Sequence, residues 1–259
     1  MKSSIKSKIG ESYITLTTTK MCGANLVIVQ SPTPEQFNFD DKSLAGHQFT
    51  IQNDHILTEE IEFGKIKEQG NKARLNKFVG GRVALRRALM SLDIKPNVVP
   101  AIMKDNWGAP VLPMDITGSI SHKDYIAVGI ASVDSKGRIG VDLEHTTNKA
   151  AAMLQRRILT AAEQERIGRI PGVSALEETL LRFSFKEAIY KSIHSFLPRS
   201  IDFSEVEVDP LPDGSAKINF CLKTGESFDY IASWQRYKEK YWLTCAYLID
   251  PTDSIRKYR

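Results

Sequence analysis

The chain has 259 residues, of which 42% are hydrophobic and 25% are charged, a composition typical of a globular protein with a sizeable core. A formal net charge of +4 is mild beside the dense positive charge of most nucleic-acid-binding proteins, so we expect no nucleic-acid partner. The three cysteines are odd in number and widely spaced, which excludes a disulfide framework and a C-x-x-C metal knuckle. The sequence has no long apolar run and no secretory signal pattern, and therefore predicts a cytoplasmic protein without a membrane span.

The first half of the chain predicts one long helix followed by a strand pair. Residues 1–20 are rich in Ser, Thr and Lys and predict a loose or peripheral segment before the first strand, which is expected at 25–30. Residues 31–70 predict an irregular approach to a helix over 71–92, where apolar residues recur at three- and four-residue spacing. A strand pair is then expected within 118–132.

The second half repeats a helix followed by strands. It begins with a predicted strand at 138–144, and helices are predicted over 150–169 and 175–196. Two final strands are expected near 228–234 and 241–249.

The two long helices carry polar and aromatic residues at matching offsets. This match suggests an internal duplication, although three positions would also agree by chance, and two similar halves facing each other would form a ligand-binding cleft. The matching positions are Phe78, Arg82 and Arg86 in the first helix and Phe183, Glu187 and Lys191 in the second.

A strand with two carboxylates on one face is the sharpest local feature. In the run IGVDLE at 139–144, apolar residues alternate with Gly140, Asp142 and Glu144, so a strand places both carboxylates on the face opposite the apolar set. Paired carboxylates are hard oxygen ligands that suit Mg²⁺. Taken alone, the run is better explained as a half-exposed strand with two solvated acids.

The second feature is the run FSFKEAIYK at 183–191 on a predicted helix. Glu187 and Lys191 are four residues apart and share a helix face. The carboxylate suits a metal ligand or a general base, and the ammonium suits phosphate oxygens. Such pairs are also ordinary surface ion pairs worth about 0.2–0.5 kcal/mol, and this simpler explanation is preferred for the run by itself.

The third feature is basic, because residues 71–87 contain six cations and no acid. A solvated cationic face explains this run, and so does an anion site. Gly80 and Gly81 lie inside the predicted helix, where each glycine costs about 1 kcal/mol relative to alanine. Their presence indicates close approach by a ligand or tight packing against another element.

The fourth feature is the run SISH at 119–122. Ser121 and His122 are adjacent on a predicted strand and point to opposite faces, so they are poorly placed as nucleophile and base. The sequence also has no G-x-S-x-G elbow. Phosphate binding by either residue is a better interpretation than hydrolysis, and a purely structural histidine is the alternative.

Together with the run NWGAP at 106–110, these segments resemble the 4′-phosphopantetheinyl transferase superfamily, and in particular its surfactin-type and enterobactin-synthase-type branch. The resemblance covers about 120 residues and implies an α+β pseudo-dimer of two similar halves, with the active site in the cleft between them. The implied halves are residues 1–136, with the basic helix and the SISH strand, and residues 137–259, with the carboxylate strand and the second long helix. The resemblance also implies a monomer.

The resemblance further implies a set of functional residues. Asp142, Glu144 and Glu187 would hold Mg²⁺ against the pyrophosphate of coenzyme A, and Glu187 and Lys191 would be catalytic. The remaining residues would bind the cofactor: Arg74, Lys77 and Arg82 near the 3′-phosphate, Trp107, Gly108 and Pro110 beside the adenine, and Ser121, His122 and Lys191 at phosphates.

The implied reaction moves 4′-phosphopantetheine from coenzyme A to a serine of an apo acyl or peptidyl carrier protein and releases 3′,5′-ADP, as in a holo-acyl-carrier-protein synthase. Two alternatives stay open. A metal-dependent nuclease or phosphohydrolase would group Asp142 and Glu144 with Lys186 and Glu187 around a metal. A non-catalytic protein would bind coenzyme A or a carrier domain, which the intact carboxylate set argues against.

Overall fold

A computed structural model describes residues 13–33, 49–51, 54–56, 72–94, 102–134, 136–197 and 199–249. The chain divides into two compact units, Met1–Val133 and Asp134–Arg259. This division lies close to the predicted boundary after residue 136. Within the described ranges, no helix is both long and apolar enough to cross a membrane.

In the first unit, a four-stranded antiparallel sheet packs against a 19-residue helix, α1 (Lys72–Met90). The sheet has the order β1-β2-β6-β5. Its strands are β1 (Ile14–Met21), β2 (Ala24–Gln30), β5 (Ile116–Lys123) and β6 (Ile126–Val133), and a separate hairpin is formed by β3 (Phe49–Ile51) and β4 (Asp54–Ile56).

The two glycines within α1 allow the helix to lie close to its sheet. A Cβ on Gly81 would lie 2.6 Å from Cγ2 of Ile120 on β5, and one on Gly80 would overlap Oγ of Ser31. Both positions face neighbouring protein atoms, so tight packing accounts for the glycines, whose role the sequence left open between packing and a ligand.

The second unit is built around another 19-residue helix, α4 (Ala175–Ile193), which packs on a three-stranded antiparallel sheet. The strands of this sheet are β7 (Gly137–His145), β10 (Asp229–Tyr237) and β11 (Tyr241–Ile249), in the order β10-β11-β7. The unit also contains the helices α2 (Ala151–Ile158) and α3 (Ala161–Arg166), a 3₁₀ turn (Phe203–Glu205) and the strand pair β8 (Val206–Pro210) and β9 (Ala216–Phe220).

The two units share a topology. In the first, a strand, a long helix and two further strands give the antiparallel order β2-β6-β5, and in the second the corresponding elements give β7-β11-β10. In both units, the strand that precedes the long helix, β2 or β7, pairs with the final strand of the unit's sheet. That final strand also pairs with the strand that comes just before it in the sequence. This common order agrees with the predicted duplication and gives the α+β class that the sequence predicts.

Three sequence predictions were wrong in detail. Residues 14–21 form a strand, β1, because the positive φ angles of Cys22 and Gly23 close a tight hairpin with β2. The single helix predicted over 150–169 is two helices, because Thr160 caps α3 through a reciprocal capping box with Glu163. The β8–β9 and β3–β4 pairs were missed, and the predictions for residues 1–12 and for most of residues 31–70 lie outside the described ranges.

Buried ion pairs fix α4 within the second unit. The Lys186 ammonium lies 2.6 Å from Oε2 of Glu163 and also donates to the carbonyls of Ile158 and Phe203. Arg182 pairs with Glu178 at 2.6 Å. The Lys186 contacts join the helix to α2, α3 and the 3₁₀ turn, so the polar residues on this side of α4 are structural.

Candidate active site

The site is built where β7 lies against α4. Gly140 makes this contact possible, because a Cβ there would overlap the carbonyl of Ala188 in the helix backbone. The next residue on the same face of β7 is Asp142, followed by Glu144. A local glycine therefore brings the carboxylate strand close to the helix that carries Glu187 and Lys191.

Asp142 is held at both oxygens. Its Oδ1 lies 2.8 Å from the Lys191 ammonium, which also donates to the carbonyl of Val141 at 2.9 Å. Its Oδ2 accepts a hydrogen bond of 2.9 Å from the hydroxyl of Ser184, which in turn lies 2.9 Å from the hydroxyl of Thr244. The carboxylate is therefore paired with a cation on one side and with a hydroxyl pair on the other.

Neither acid of β7 is solvated. Asp142 is 7% exposed and Glu144 is 6% exposed, so the simpler interpretation of the run 139–144 as a half-exposed strand was wrong. Burial arises because β7 is covered by α4 and paired with β11. Glu144 Oε1 accepts a hydrogen bond of 2.8 Å from the backbone N–H of His145.

Glu187 shows the electrostatic character of the site. The pKa of Glu187 is raised, first by burial and then by the neighbouring carboxylates of Asp142 and Glu144. The Lys191 ammonium offsets part of this rise. Glu187 therefore interacts electrostatically with Asp142, Glu144 and Lys191. A carboxylate with a raised pKa suits a group that accepts a proton near neutral pH.

The donor set has the chemistry of a Mg²⁺ site. The buried carboxylates of Asp142 and Glu144 repel the half-buried carboxylate of Glu187, and a divalent cation would relieve that repulsion through hard oxygen ligands. Over the described ranges, no three His, Cys, Asp or Glu side chains are gathered closely enough to hold a metal ion, and the cation beside Asp142 is Lys191. The residues fit the metal in type, and binding it would require their side chains to converge further.

The predicted 3′-phosphate residues of α1 differ in exposure. Arg74 and Lys77 are exposed, whereas Arg82 is buried with its guanidinium carbon 3.7 Å from the centre of the Phe78 ring. Lys104, which was not among the predicted site residues, lies with its ammonium 5.0 Å from the same ring. Little in the sequence marks Lys104, because it precedes the NWGAP run and only the fold brings it to α1.

The NWGAP run forms a tight turn. Asp105 Oδ1 accepts hydrogen bonds from the backbone N–H groups of Trp107 and Ala109, at 2.8 and 2.9 Å. Gly108 has a φ of 86°, a conformation that favours glycine. Trp107 is 46% exposed and presents an aromatic surface, while Pro110 pairs with Lys104 through a β-bridge.

The SISH run lies on β5, where Ser121 is buried and His122 is exposed. Their opposite orientations agree with the alternation expected of a strand. Ser121 and His122 belong to the first unit, and the acidic cluster with Lys191 belongs to the second.

Sequence reasoning missed Ser184 and Thr244. The available signal was a serine between Phe183 and Phe185 in a helix, since a polar residue among core-facing positions needs a hydrogen-bond partner. Thr244 offered no such signal. Its position opposite Asp142 depends on the register of β11 with β7.

A segment of each unit matches the profile of one enzyme family. Residues 138–246 match the 4′-phosphopantetheinyl transferase superfamily, and residues 64–132 match the 4′-phosphopantetheinyl transferase N-terminal domain. The chain belongs to the 4′-phosphopantetheinyl transferase superfamily.

Individual relatives agree with this assignment. The chain is 30% identical over 165 residues to 4′-phosphopantetheinyl transferase Npt of Nocardia iowensis, covering 63% of this chain and 67% of the relative. It is 33% identical over 131 residues to enterobactin synthase component D of Escherichia coli strain K12, covering 50% of this chain and 59% of that protein. With 4′-phosphopantetheinyl transferase Svp of Streptomyces mobaraensis it shares 26% identity, and the match covers 54% of this chain and 56% of the relative. The match thus spans less than two thirds of the last two relatives.

Among solved structures, the chain is similar to an apo-ACPS structure from Chronobacterium ammoiniagenes at 16% identity and a TM-score of 0.35, covering 44% of this chain and 97% of the other.

Proposed function

We propose that this protein transfers the 4′-phosphopantetheine arm of coenzyme A to a serine of an apo acyl or peptidyl carrier protein, with Mg²⁺, and releases 3′,5′-ADP. The observation that carries the proposal is the ion pair between Asp142 on β7 and Lys191 on α4, beside Glu187, whose pKa is raised by burial and by the Asp142 and Glu144 carboxylates. This cluster lies within residues 138–246, which match the superfamily.

The reaction requires one new bond and one broken bond. The serine oxygen forms a bond to the phosphorus that carries the pantetheine arm, and the bond from that phosphorus to 3′,5′-ADP breaks. Glu187 takes the serine proton, directly or through water, because burial and neighbouring acids raise its pKa. The electron pair of the broken bond leaves with 3′,5′-ADP, and no covalent enzyme intermediate is needed.

Charge neutralisation is the second requirement. Asp142, Glu144 and Glu187 would hold Mg²⁺, which when bound supplies charge stabilisation to the pyrophosphate. Lys191 offers a second cation for phosphate oxygens once it leaves Asp142. The ion pair between Lys191 and Asp142 therefore holds both side chains at the site before the metal and the phosphate bind.

The first unit would bind the rest of coenzyme A. Exposed Arg74 and Lys77 suit the 3′-phosphate, buried Arg82 is proposed to lie near it, and the turn at 107–110 suits the adenine. Ser121 and His122 remain proposed phosphate contacts. These assignments follow from the family resemblance and from the charge and exposure of the side chains.

The phosphohydrolase alternative is weakened by Lys186. That alternative groups Lys186 with Glu187 around a metal, but the Lys186 ammonium is buried in an ion pair with Glu163. The carboxylate cluster still argues against a protein that only binds coenzyme A or a carrier domain. Because enterobactin synthase component D is among the relatives, we further propose a role in a siderophore or other secondary pathway. We also propose a cytoplasmic location and a monomeric pseudo-dimer, as the family resemblance implies.

The direct test is the mass of a carrier protein. A panel of apo-carrier domains is incubated with the protein, coenzyme A and Mg²⁺, and each domain is weighed by mass spectrometry. A gain of one phosphopantetheine arm is expected only in the complete mixture, and EDTA should prevent it. Unchanged carriers together with released phosphate or cut nucleic acid would overturn the proposal in favour of a hydrolase.

A further inference from the structure

The two oxygens of Asp142 have partners of different kinds. Oδ1 faces the Lys191 ammonium at 2.8 Å, a partner that another cation can replace. Oδ2 accepts from the Ser184 hydroxyl at 2.9 Å. An exchangeable cation on one oxygen and a neutral donor on the other make the carboxylate asymmetric.

The hydroxyl side of Asp142 is fully buried. Ser184 on α4 and Thr244 on β11 are both 0% exposed, and their hydroxyl oxygens are 2.9 Å apart. Thr244 lies directly opposite Asp142 in the register of β11 with β7, which places the two side chains on one sheet face. Because both residues are fully buried, the Thr244 hydroxyl depends on Ser184 for its hydrogen bond, and Ser184 bonds both Thr244 and Asp142.

We propose that Ser184 and Thr244 are positioning residues that fix the Asp142 carboxylate and leave Oδ1 as its metal-binding oxygen. The inference rests on the proposed function, because it assigns a role toward the metal. Groups that orient a metal-binding carboxylate through hydrogen bonds typically change metal affinity about 10–100-fold when removed. Thr244 is linked to Asp142 through the hydroxyl of Ser184.

The test compares two buried serines on the same helix. Ser184→Ala removes the donor to Asp142, while Ser192→Ala removes a hydroxyl that donates to the carbonyl of Ile189 at 2.8 Å and has no role at the site. Mg²⁺ is titrated by calorimetry into protein premixed with coenzyme A. Ser184→Ala should bind Mg²⁺ at least about tenfold more weakly than wild type, and Ser192→Ala should bind it normally.

Two substitutions of Thr244 separate hydrogen bonding from packing. Thr244→Val keeps the shape and loses the hydroxyl, whereas Thr244→Ser keeps the hydroxyl and loses a methyl group. We expect Val to weaken Mg²⁺ binding and Ser to preserve it. These variants also decide the matter if Ser184→Ala does not fold, and the double variant Ser184→Ala/Thr244→Val should bind no more weakly than Ser184→Ala.

The outcomes are distinct from those of the functional test. Equal Mg²⁺ affinity in Ser184→Ala and Ser192→Ala, or weak binding by Thr244→Ser with normal binding by Thr244→Val, would overturn the inference. If the wild-type protein binds no Mg²⁺ with coenzyme A and modifies no carrier, the proposed function itself is wrong. Wild-type binding with unchanged variants refutes only the role of Ser184 and Thr244.

Discussion

Lys191 and Asp142 form an ion pair at 2.8 Å that joins the last turn of α4 to the middle of β7. The ammonium is the counter-ion of a buried carboxylate in a site with two further acids. In the proposed reaction both partners change: the carboxylate binds a metal and the ammonium binds phosphate. The same pair therefore stabilises the metal-free protein and supplies two groups to the proposed reaction.

Lys191→Met tests that link. Loss of the ammonium should lower the free energy of unfolding of the metal-free protein by roughly 1–3 kcal/mol, between the values for exposed and buried ion pairs. Mg²⁺ should recover part of this loss, while transfer should fall by about a hundredfold or more. Thermal unfolding with and without Mg²⁺ measures the loss of stability and its recovery, and a transfer assay measures the fall in activity. The exposed Lys217 provides the control Lys217→Met, and unfolding midpoints that match this control would contradict the expectation.

Glu187→Gln should separate catalysis from stability. The pKa of Glu187 is raised by burial and by Asp142, so its ionised form is disfavoured by folding, and the protein loses stability as pH rises through that pKa. The amide carries no charge and should stabilise the metal-free protein above this pH, with little effect below the ordinary carboxyl pKa. Transfer should fall at least about a hundredfold, because the amide takes no proton.

Coenzyme A binding by Glu187→Gln with Mg²⁺ should largely survive, since the amide oxygen still offers a ligand. Calorimetry, a transfer assay and unfolding between acidic and neutral pH provide the measurements, with Glu165→Gln on the exposed side of α3 as control. Near-normal transfer would remove the assignment of Glu187 as the base, and lost binding would leave it only a ligand.

Lys186→Met should damage the fold and not the chemistry. It leaves the fully buried Glu163 without its ammonium partner, which typically costs about 3–5 kcal/mol. Adding Glu163→Gln removes the stranded charge and should recover part of the loss in denaturant unfolding. Specific activity per folded molecule should stay near that of wild type. A stable Lys186→Met protein without transfer activity would instead place Lys186 in the reaction, as the hydrolase alternative requires.

Gly140→Ala should be worse than Gly81→Ala, although both add the same methyl group. At Gly140 the new Cβ overlaps the backbone carbonyl of Ala188, which moves only with the helix, whereas at Gly81 it meets Cγ2 of the half-buried Ile120, a side chain and not backbone. Overpacking costs about 1–3 kcal/mol and occasionally more, and at Gly81 the better helix propensity of alanine offsets roughly 1 kcal/mol. Equal unfolding midpoints for the two variants would contradict the close contact of β7 with α4 at Gly140.

Lys77→Ala tests the exposed cations of α1. If Lys77 contacts the 3′-phosphate, wild type should bind coenzyme A about tenfold more tightly than dephospho-coenzyme A, as a charge-assisted hydrogen bond predicts, and the variant should show a smaller ratio. Competition binding with both cofactors measures the ratio of the two affinities, and Lys217→Ala controls for the loss of one surface charge. Equal losses for the two cofactors would show that Lys77 meets another anion or none.

Much of the site was predictable because its elements are defined locally. Alternation along 139–144 set Asp142 and Glu144 on one strand face, and four-residue spacing set Glu187 and Lys191 on one helix face. Both long helices were predicted within a few residues of their observed ends. These patterns depend on the strand and helix periods of 2.0 and 3.6 residues, so the spacing of residues along the chain is enough to detect them.

Other features depended on contacts between distant segments. Burial of Asp142 and Glu144 required α4 and β11 to cover β7, and the role of Lys186 required Glu163 to reach it from α3. The sequence by itself therefore determined which side chains share a face and which family the chain resembles. Only the tertiary structure decided that Lys191 neutralises Asp142, that Ser184 and Thr244 hold its other oxygen, and that Gly80 and Gly81 serve packing, because hydrogen bonds and close contacts arise from distances that no local repeat encodes.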